Sequence, residues 1–321
     1  MNRSLKSSVS FSFVSKLKDY FQLIKFTLSF TVVFTCVICY LLAPNVVGYD
    51  LKMIVLLFIA GLLITGSANA INQASEKDTD ALMKRTSSRP VAAGRMTANE
   101  AYTFALIAGV VGVFMMGYFF TGPNGDFNWD AFLLSAFSLF LYAYIYTPLK
   151  KISSVSVLVG AFPGAIPCLI GWIAATNLFS PFDTVEGTSI SNGAGWALFG
   201  LQFLWQFPHF WAIAWVAHND YSKAGFKLLP GGGKPTKATA LQAIAYAVIM
   251  LPVGIMPYYF GLTGIVSMWI VIAANIFIVT QCVRLYIEMD VKAARRVMFS
   301  SYIYLPVVFL ALLADKIPVT V

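Results

Sequence analysis

The sequence predicts an all-α fold, a polytopic integral membrane bundle of about nine transmembrane helices. First, 59% of its 321 residues are hydrophobic and only 11% are charged, less than half of the ~25% that is typical of soluble domains. Second, the chain supplies about nine apolar runs close to the ~20 residues that a helix needs to cross a ~30 Å hydrocarbon core. Third, almost all basic residues fall in alternate loops. These observations exclude a soluble globular protein.

The elements follow in order along the chain. Residues 1–25 predict a cytoplasmic N-terminal tail, because they lack the short apolar core and small-residue cleavage site of a signal peptide. Residues 26–315 predict a single transmembrane domain, whose breaks carry charged residues and turn-forming Gly, Pro and Asn. The predicted spans are 26–44, 53–71, 98–120, 131–147, 154–175, 195–216, 239–259, 262–283 and 297–314.

The placement of Lys and Arg predicts the orientation. Of the 22 basic residues, 20 fall in the N-terminal tail or in the even-numbered loops, and only Lys52 and Lys316 fall on the other side. The positive-inside rule therefore places the N-terminus in the cytoplasm and the C-terminus on the opposite side of a bacterial-type inner (plasma) membrane. The net charge of +8 is then mainly a topology signal and gives no reason to expect nucleic-acid binding.

An acidic cluster lies where the second span reaches the cytoplasm. At 100° per residue, a continuing helix would place Asn72, Glu76 and Asp80 in one stripe, while Asp78 would point elsewhere. Like charges four residues apart repel each other, and a divalent cation would offset that cost. Carboxylate and amide oxygens are ligands that Mg²⁺ accepts, with water and substrate phosphates completing the shell. The stripe predicts a magnesium site.

Basic residues follow this cluster directly, at Lys84, Arg85 and Arg89. Cations beside a carboxylate-bound metal form a site for a polyanion such as diphosphate, because guanidinium groups make forked hydrogen bonds to its oxygens. The alternative is a solvated loop whose basic residues only set the topology.

A second acid, Asp220, lies just beyond the membrane end of the sixth predicted span, close to Lys223. Two acid-bearing helix ends on one cytoplasmic face could hold two metals around one diphosphate. The alternative for Asp220 is an ordinary residue at a helix end or in a loop.

These segments carry a family resemblance over residues 20–315. The segment "NQASEKDTD" resembles the Asn-Asp-x-x-Asp-x-x-x-Asp motif of the intramembrane aromatic prenyltransferase (UbiA) superfamily. The segments "DALMKRTSSRP", "YTPLKKIS", "GAFPGAIPCLIGW", "LWQFPHFWAIAW" and "DYSKAGFKLLP" together resemble its haem branch. Gln73 and Glu76 stand where the general motif has Asp, and Ala224 stands four residues after Asp220 where the second motif has another acid. That departure leaves the number of metals open.

The resemblance implies an Mg²⁺-dependent enzyme that transfers farnesyl from farnesyl diphosphate to a vinyl group of haem B, giving haem O and diphosphate. A haem A synthase would act downstream as a partner. The metal ligands implied are Asn72, Glu76, Asp80 and Asp220. The residues implied around the diphosphate and reacting carbon are Lys84, Arg85, Arg89, Lys150, Lys151 and Lys223.

Haem needs flat apolar surfaces and a polar anchor. His209, one of two histidines, lies at membrane depth beside a proline, where ionisable residues are rare. We interpret His209 as a contact to the haem iron or a propionate, and Trp205 as a ring that packs on porphyrin or farnesyl. The alternatives are a histidine hydrogen-bonded between helices and an aromatic residue that only packs.

Two other functions remain open. The first acidic cluster alone also fits a prenyltransferase with a quinone, hydroxybenzoate or chlorophyllide acceptor. A transporter is disfavoured, because nearly every ionisable residue lies at the predicted cytoplasmic ends, whereas transporters place such residues near the middle of the membrane.

Overall fold

The computed structural model describes residues 13–122 and 124–318, and within them the chain is helical, with only two isolated β-bridges. One stretch of helix contains a π-helical segment, Leu141–Tyr146. The helices are α1 (Phe13–Leu23), α2 (Phe26–Leu42), α3 (Leu51–Ser75), α4 (Lys77–Ala81), α5 (Ala98–Phe119), α6 (Trp129–Phe140), α7 (Thr147–Leu149), α8 (Val155–Thr176), α9 (Gly193–Val216), α10 (His218–Lys223), α11 (Lys237–Tyr259), α12 (Ile265–Glu288) and α13 (Val291–Ala314).

The membrane class is confirmed, but the count of nine spans is not. Within the described residues, seven helices are long and apolar enough to cross a membrane, namely α3, α5, α6 with α7, α8, α11, α12 and α13. The pair α1 and α2, bent by 53°, would make eight if it forms one span. Helix α9 has 24 residues but is not among these helices. The polar side chains of Gln202, Gln206 and His209 lower the mean hydropathy of this helix.

Several of the long helices begin at side chains that bind their first free N–H groups. Asp50 accepts from the backbone of Lys52 and Met53 at the start of α3. Thr97 caps α5 in the same way, and Asp290 caps α13. The cap at Asp290 explains why α13 begins at Val291, six residues before the predicted span at 297.

The packing order encloses a central space. Helix α2 packs on α3, α8 and α13, and α9 packs on α8, α11 and α13. The contact between α2 and α8 is close because Gly171 leaves room for the neighbouring backbone: a Cβ there would lie 1.9 Å from the carbonyl oxygen of Cys36. All four cysteines are free and buried. The helix contacts place the interior between α2, α3, α8, α9 and α13.

One end of the bundle collects the segments 76–97, 150–154, 217–236 and 289–290, because successive long helices run in opposite directions. Helix α1 docks at this end, where Asp19 pairs with Arg95 at 2.8 Å. Residues 13–23 of the predicted tail are therefore helical, and residues 1–12 lie outside the described residues. We call this the basic end, since it carries the basic loops of the sequence.

At the opposite end, the chain after α13 closes the bundle. The Nζ atom of Lys316 donates to the backbone oxygens of Leu41, Ala43 and Val46 at 2.8, 2.7 and 2.9 Å. These include carbonyls that the C-terminus of α2 leaves without helical partners. Burial lowers the pKa of Lys316 to about 8.

Candidate active site

A cavity of about 540 Å³ lies between α2, α3, α8, α9 and α13. Its charged lining is concentrated at the basic end, and its remaining walls are mainly apolar. The charged residues other than histidine are Lys25, Glu76, Asp80, Arg85, Arg89 and Lys150. The cavity thus has a charged head at the basic end and an apolar body.

The predicted acidic stripe lines the charged head. Helix α3 does not continue as expected, because Glu76 leaves the helical conformation (φ −100°, ψ 15°) and α4 starts at Lys77. Asn72, Glu76 and Asp80 are nevertheless all buried and line the cavity. The Nδ2 group of Asn72 donates to Glu76 Oε2 at 2.8 Å. Asp78 is exposed, so the spacing correctly separates it from the other three.

Two basic residues form ion pairs with the two carboxylates. Lys150 Nζ lies 2.5 Å from Glu76 Oε1, and Arg89 Nη1 donates to Asp80 Oδ2 at 2.7 Å. Lys150 lies just after α7, where burial lowers its pKa and the Glu76 carboxylate offsets part of that effect. Of the predicted pair Lys150 and Lys151, only Lys150 lines the cavity, since Lys151 is exposed.

Lys25 is a site residue that sequence reasoning missed. It lies between α1 and α2 in the left-handed conformation (φ 47°, ψ 57°), which is uncommon for residues other than glycine. Its Nζ donates to Asn72 Oδ1 at 3.0 Å. Gln73 holds the end of α1 nearby by donating to the backbone oxygens of Gln22 and Leu23 at 3.0 and 2.8 Å. The only sequence signal was a basic residue directly before the first span.

Aromatic residues close the charged head. The Nη2 group of Arg85 donates to the hydroxyl of Tyr221 at 2.9 Å, and the Arg85 guanidinium lies 5.5 Å from the centre of that ring. Lys150 Nζ lies 5.0 Å from the ring centre of Tyr146 and 5.3 Å from that of Phe226. Tyr146 comes from the π-helical segment, a feature common near functional sites. The segment that follows Asp220, the second predicted acid, therefore contributes the rings of Tyr221 and Phe226 to the cavity.

Four predicted residues do not line this cavity. Lys84, Lys151 and Lys223 are exposed, and Asp220 is half-buried. Helix α10 directs Tyr221 toward Arg85, and the adjacent residue Asp220 points away because successive helical residues differ by 100°. No group of three or more His, Cys, Asp or Glu side chains suited to a metal occurs in the described part of the chain. The roles of these four residues stay predictions.

The donor set at the charged head nevertheless fits Mg²⁺. Asp80 is 1% exposed, and its Oδ1 atom is buried without a hydrogen-bond partner among the described residues. The Asn72 and Glu76 side chains line the same cavity and are joined by a hydrogen bond. One or two carboxylates, with substrate phosphates and water, are the usual protein contribution to a magnesium site.

The apolar body contains the two residues predicted to face haem. The rings of Trp205 and His209 stack with centroids 4.5 Å apart and an interplanar angle of 18°. Both belong to α9 and both line the cavity. Ser301 of α13 contacts both, since its backbone oxygen accepts from Trp205 Nε1 at 3.0 Å and its Oγ lies 2.8 Å from His209 Nδ1.

A helical membrane bundle with amide and carboxylate groups at the head of an apolar cavity is the architecture of an intramembrane prenyltransferase. The model of the UbiA prenyltransferase family matches residues 32–305. The chain belongs to the UbiA prenyltransferase family.

Sequence relatives narrow this class. A protein of Cytophaga hutchinsonii named protoheme IX farnesyltransferase is 42% identical over 306 residues, which cover 94% of this chain and 99% of the relative. A Flavobacterium psychrophilum protein of the same name is 38% identical over 308 residues, which cover 94% of this chain and 95% of the relative. The resemblance to the haem branch is confirmed.

Solved structures share the fold at low sequence identity. A structure of digeranylgeranylglyceryl phosphate synthase superposes with a TM-score of 0.73 at 19% identity, covering 94% of this chain and 98% of that one. A UbiA homologue from Archaeoglobus fulgidus, bound to GPP and Mg²⁺, superposes with a TM-score of 0.58 at 12% identity. The match covers 92% of this chain and 99% of that one.

Proposed function

We propose that this chain is a haem O synthase (protohaem IX farnesyltransferase). It would transfer the farnesyl group of farnesyl diphosphate to a vinyl group of haem B and release diphosphate. Relatives of that name at 38–42% identity over 94% of the chain support the acceptor and the donor. The Archaeoglobus homologue bound to GPP and Mg²⁺ supports a prenyl diphosphate and the metal.

The observation that carries the proposal is the charged head, where Asn72, Glu76 and Asp80 line one cavity and one buried oxygen of Asp80 has no partner among the described residues. Asn72, Glu76 and Asp80 would hold Mg²⁺, which would neutralise charge on the departing diphosphate. Lys25, Arg89 and Lys150 would bind its oxygens directly. These groups already lie together at the charged head, where charge would develop on the diphosphate as the allylic carbon–oxygen bond breaks.

The apolar body suits the carbon skeleton of the substrate. An allylic cation survives only where water is excluded, and the cavity walls are mainly apolar. Leu28 of α2 and Tyr302 of α13 line the cavity and are 52% and 50% exposed. This pair supports an entrance between α2 and α13 through which a long isoprenoid can enter from the lipid.

On the acceptor side, His209 and Trp205 would contact haem B. The terminal vinyl carbon would attack the farnesyl cation, and water would add to the neighbouring carbon with loss of a proton. A haem A synthase would consume the product in supplying cytochrome oxidase haem.

The assay uses membranes that contain the full chain, supplied with haem B, farnesyl diphosphate and MgCl₂. The expected product is haem O, identified by chromatography and mass, and it should be absent without farnesyl diphosphate. Parallel reactions supply 4-hydroxybenzoate, a quinone precursor or chlorophyllide in place of haem. Prenylation of one of these acceptors with no haem O would overturn the proposal in favour of a related prenyltransferase. Vectorial flux in liposomes without prenyl transfer would favour a transporter.

We further propose an inner-membrane location with the basic end in the cytoplasm and the C-terminus on the other side. The four native cysteines are buried, so a new exposed cysteine can be labelled selectively. Lys77→Cys at the basic end should react with a membrane-impermeant thiol reagent only after the cells are opened. Phe182→Cys, at a residue that is 93% exposed at the other end, should react in intact spheroplasts. The reverse pattern would invert the topology.

A further inference from the structure

Ser301 joins the two aromatic residues that the proposed function assigns to haem. It lies on α13, opposite α9, and is fully buried, while Trp205 and His209 lie one turn apart on α9. Its backbone oxygen accepts from Trp205 Nε1, and its hydroxyl contacts His209 Nδ1. Ser301 does not itself line the cavity. It can therefore affect a bound molecule only through these two rings.

The hydroxyl of Ser301 determines which nitrogen of His209 carries the proton. Its Oγ lies 2.6 Å from the backbone oxygen of Met298, one turn earlier on α13. Two oxygens at that distance need a proton between them, and a serine hydroxyl has only one. Ser301 Oγ must then accept in its 2.8 Å contact with His209, so the proton is on Nδ1.

Because His209 lines the cavity while Ser301, the partner of its Nδ1, does not, we infer that the other nitrogen, Nε2, faces the cavity as an acceptor. It has no hydrogen bond to any described residue, and it is not one of the side-chain atoms sealed from solvent without a partner. A charged imidazolium would leave an unpaired N–H group in this mainly apolar wall, which is costly. The neutral ring with Nδ1–H therefore fits the site.

We propose that Ser301 is a positioning residue that holds His209 as the Nδ1–H tautomer, with Nε2 directed into the cavity as an axial ligand for the iron of the substrate haem. This inference rests on the proposed function, because it takes haem as the acceptor. A hydrogen bond from the far nitrogen is how proteins usually orient a metal-binding histidine and set its tautomer. Stacking against Trp205 fixes the plane of the ring, and with it the direction from which iron is bound.

The test compares binding of iron haem with binding of metal-free protoporphyrin IX, which has the same ring but no iron. Purified full-length protein in detergent is titrated with each, and binding is followed by the Soret band and by fluorescence. Ser301→Ala should weaken haem binding about 10- to 100-fold, the usual loss when a supporting hydrogen bond of a metal ligand is removed. Protoporphyrin IX should bind the variant as it binds the unaltered protein.

Three further variants separate a positioning role from simple packing. Ser301→Thr keeps the hydroxyl and should restore the Soret position of the bound haem. His209→Gly should lose that position and regain it when imidazole is added. Ser300→Ala is the matched control, because Ser300 is also buried on α13 but makes no hydrogen bond to His209.

The outcomes distinguish this inference from the proposed function. Equal weakening of haem and protoporphyrin binding in Ser301→Ala, or an unchanged Soret band in His209→Gly, would overturn iron ligation while haem O formation continued. A protein that forms no haem O and binds no haem would instead overturn the proposed function.

Discussion

The most informative single change is Asp80→Asn, which removes one negative charge and almost no volume. Asp80 is 1% exposed, and it pairs with Arg89 at 2.7 Å. Breaking this buried ion pair should destabilise the fold by about 3–5 kcal/mol, and losing one group that stabilises charge in a transition state costs roughly 10²–10³ in kcat. The variant should therefore lower kcat/KM for farnesyl diphosphate by at least about 100-fold. The proposed Mg²⁺ ligand loses its charge at the same time.

The assay measures initial rates of haem O formation against farnesyl diphosphate concentration, with haem affinity and thermal unfolding recorded on the same preparations. Haem affinity should stay unchanged, because His209 lies on α9 in the apolar body, away from the charged head. Asp78→Asn is the matched control, since Asp78 is exposed only two residues away and should retain full activity. Normal turnover by Asp80→Asn, or an equal loss in Asp78→Asn, would refute the assignment of the charged head.

Three other predictions concern the site and the packing. Lys25→Ala should lower kcat/KM for farnesyl diphosphate about 10- to 100-fold by removing one charge-assisted hydrogen bond; Lys18→Ala, an exposed change on α1, should have no such effect, and equal kinetics would refute a site role for Lys25. Gly171→Ala should lower the thermal unfolding temperature, because its Cβ would lie 1.9 Å from the backbone of Cys36; Gly200→Ala meets only a valine methyl group at 3.3 Å and should be tolerated. Chelation of divalent metal should stop prenyl transfer and leave haem binding intact, whereas continued transfer without metal would argue against the magnesium site.

Hydropathy located the long helices because each must supply an apolar surface of membrane length, whatever it packs against. Hydropathy did not predict the helical residues that lie outside a continuous apolar run. The start of α13 carries Lys292, Arg295 and Arg296, so the apolar run begins later than the helix that Asp290 caps. Helix α1 was assigned to a tail because its apolar residues are spaced along one face and do not form a continuous run.

The site residues likewise fall into those that local spacing predicts and those that only the packing of helices brings together. Asn72, Glu76 and Asp80 were grouped correctly because residues four apart on one chain segment share a face. Lys25 pairs with Asn72 across 47 residues, and that contact depends on the angle between α1 and α2, which no local pattern encodes. The same limit applies to α10. The sequence predicts that Asp220 faces the site, but the residue of this helix that lines the cavity is its neighbour Tyr221. Periodicity predicts faces within an element, and packing decides which faces meet.

The charge balance of the cavity also bears on which class of function it serves. Apart from His209, its charged lining consists of four basic residues and two acidic ones. The two acids form ion pairs with two of the basic groups, and Mg²⁺ bound to those acids would leave the basic groups available to a diphosphate and add further positive charge. Such a site becomes a strong binding site for a polyanion only when metal and diphosphate arrive together. A cation pathway would need the opposite balance, with carboxylates distributed along its length, so the lining favours diphosphate chemistry over transport.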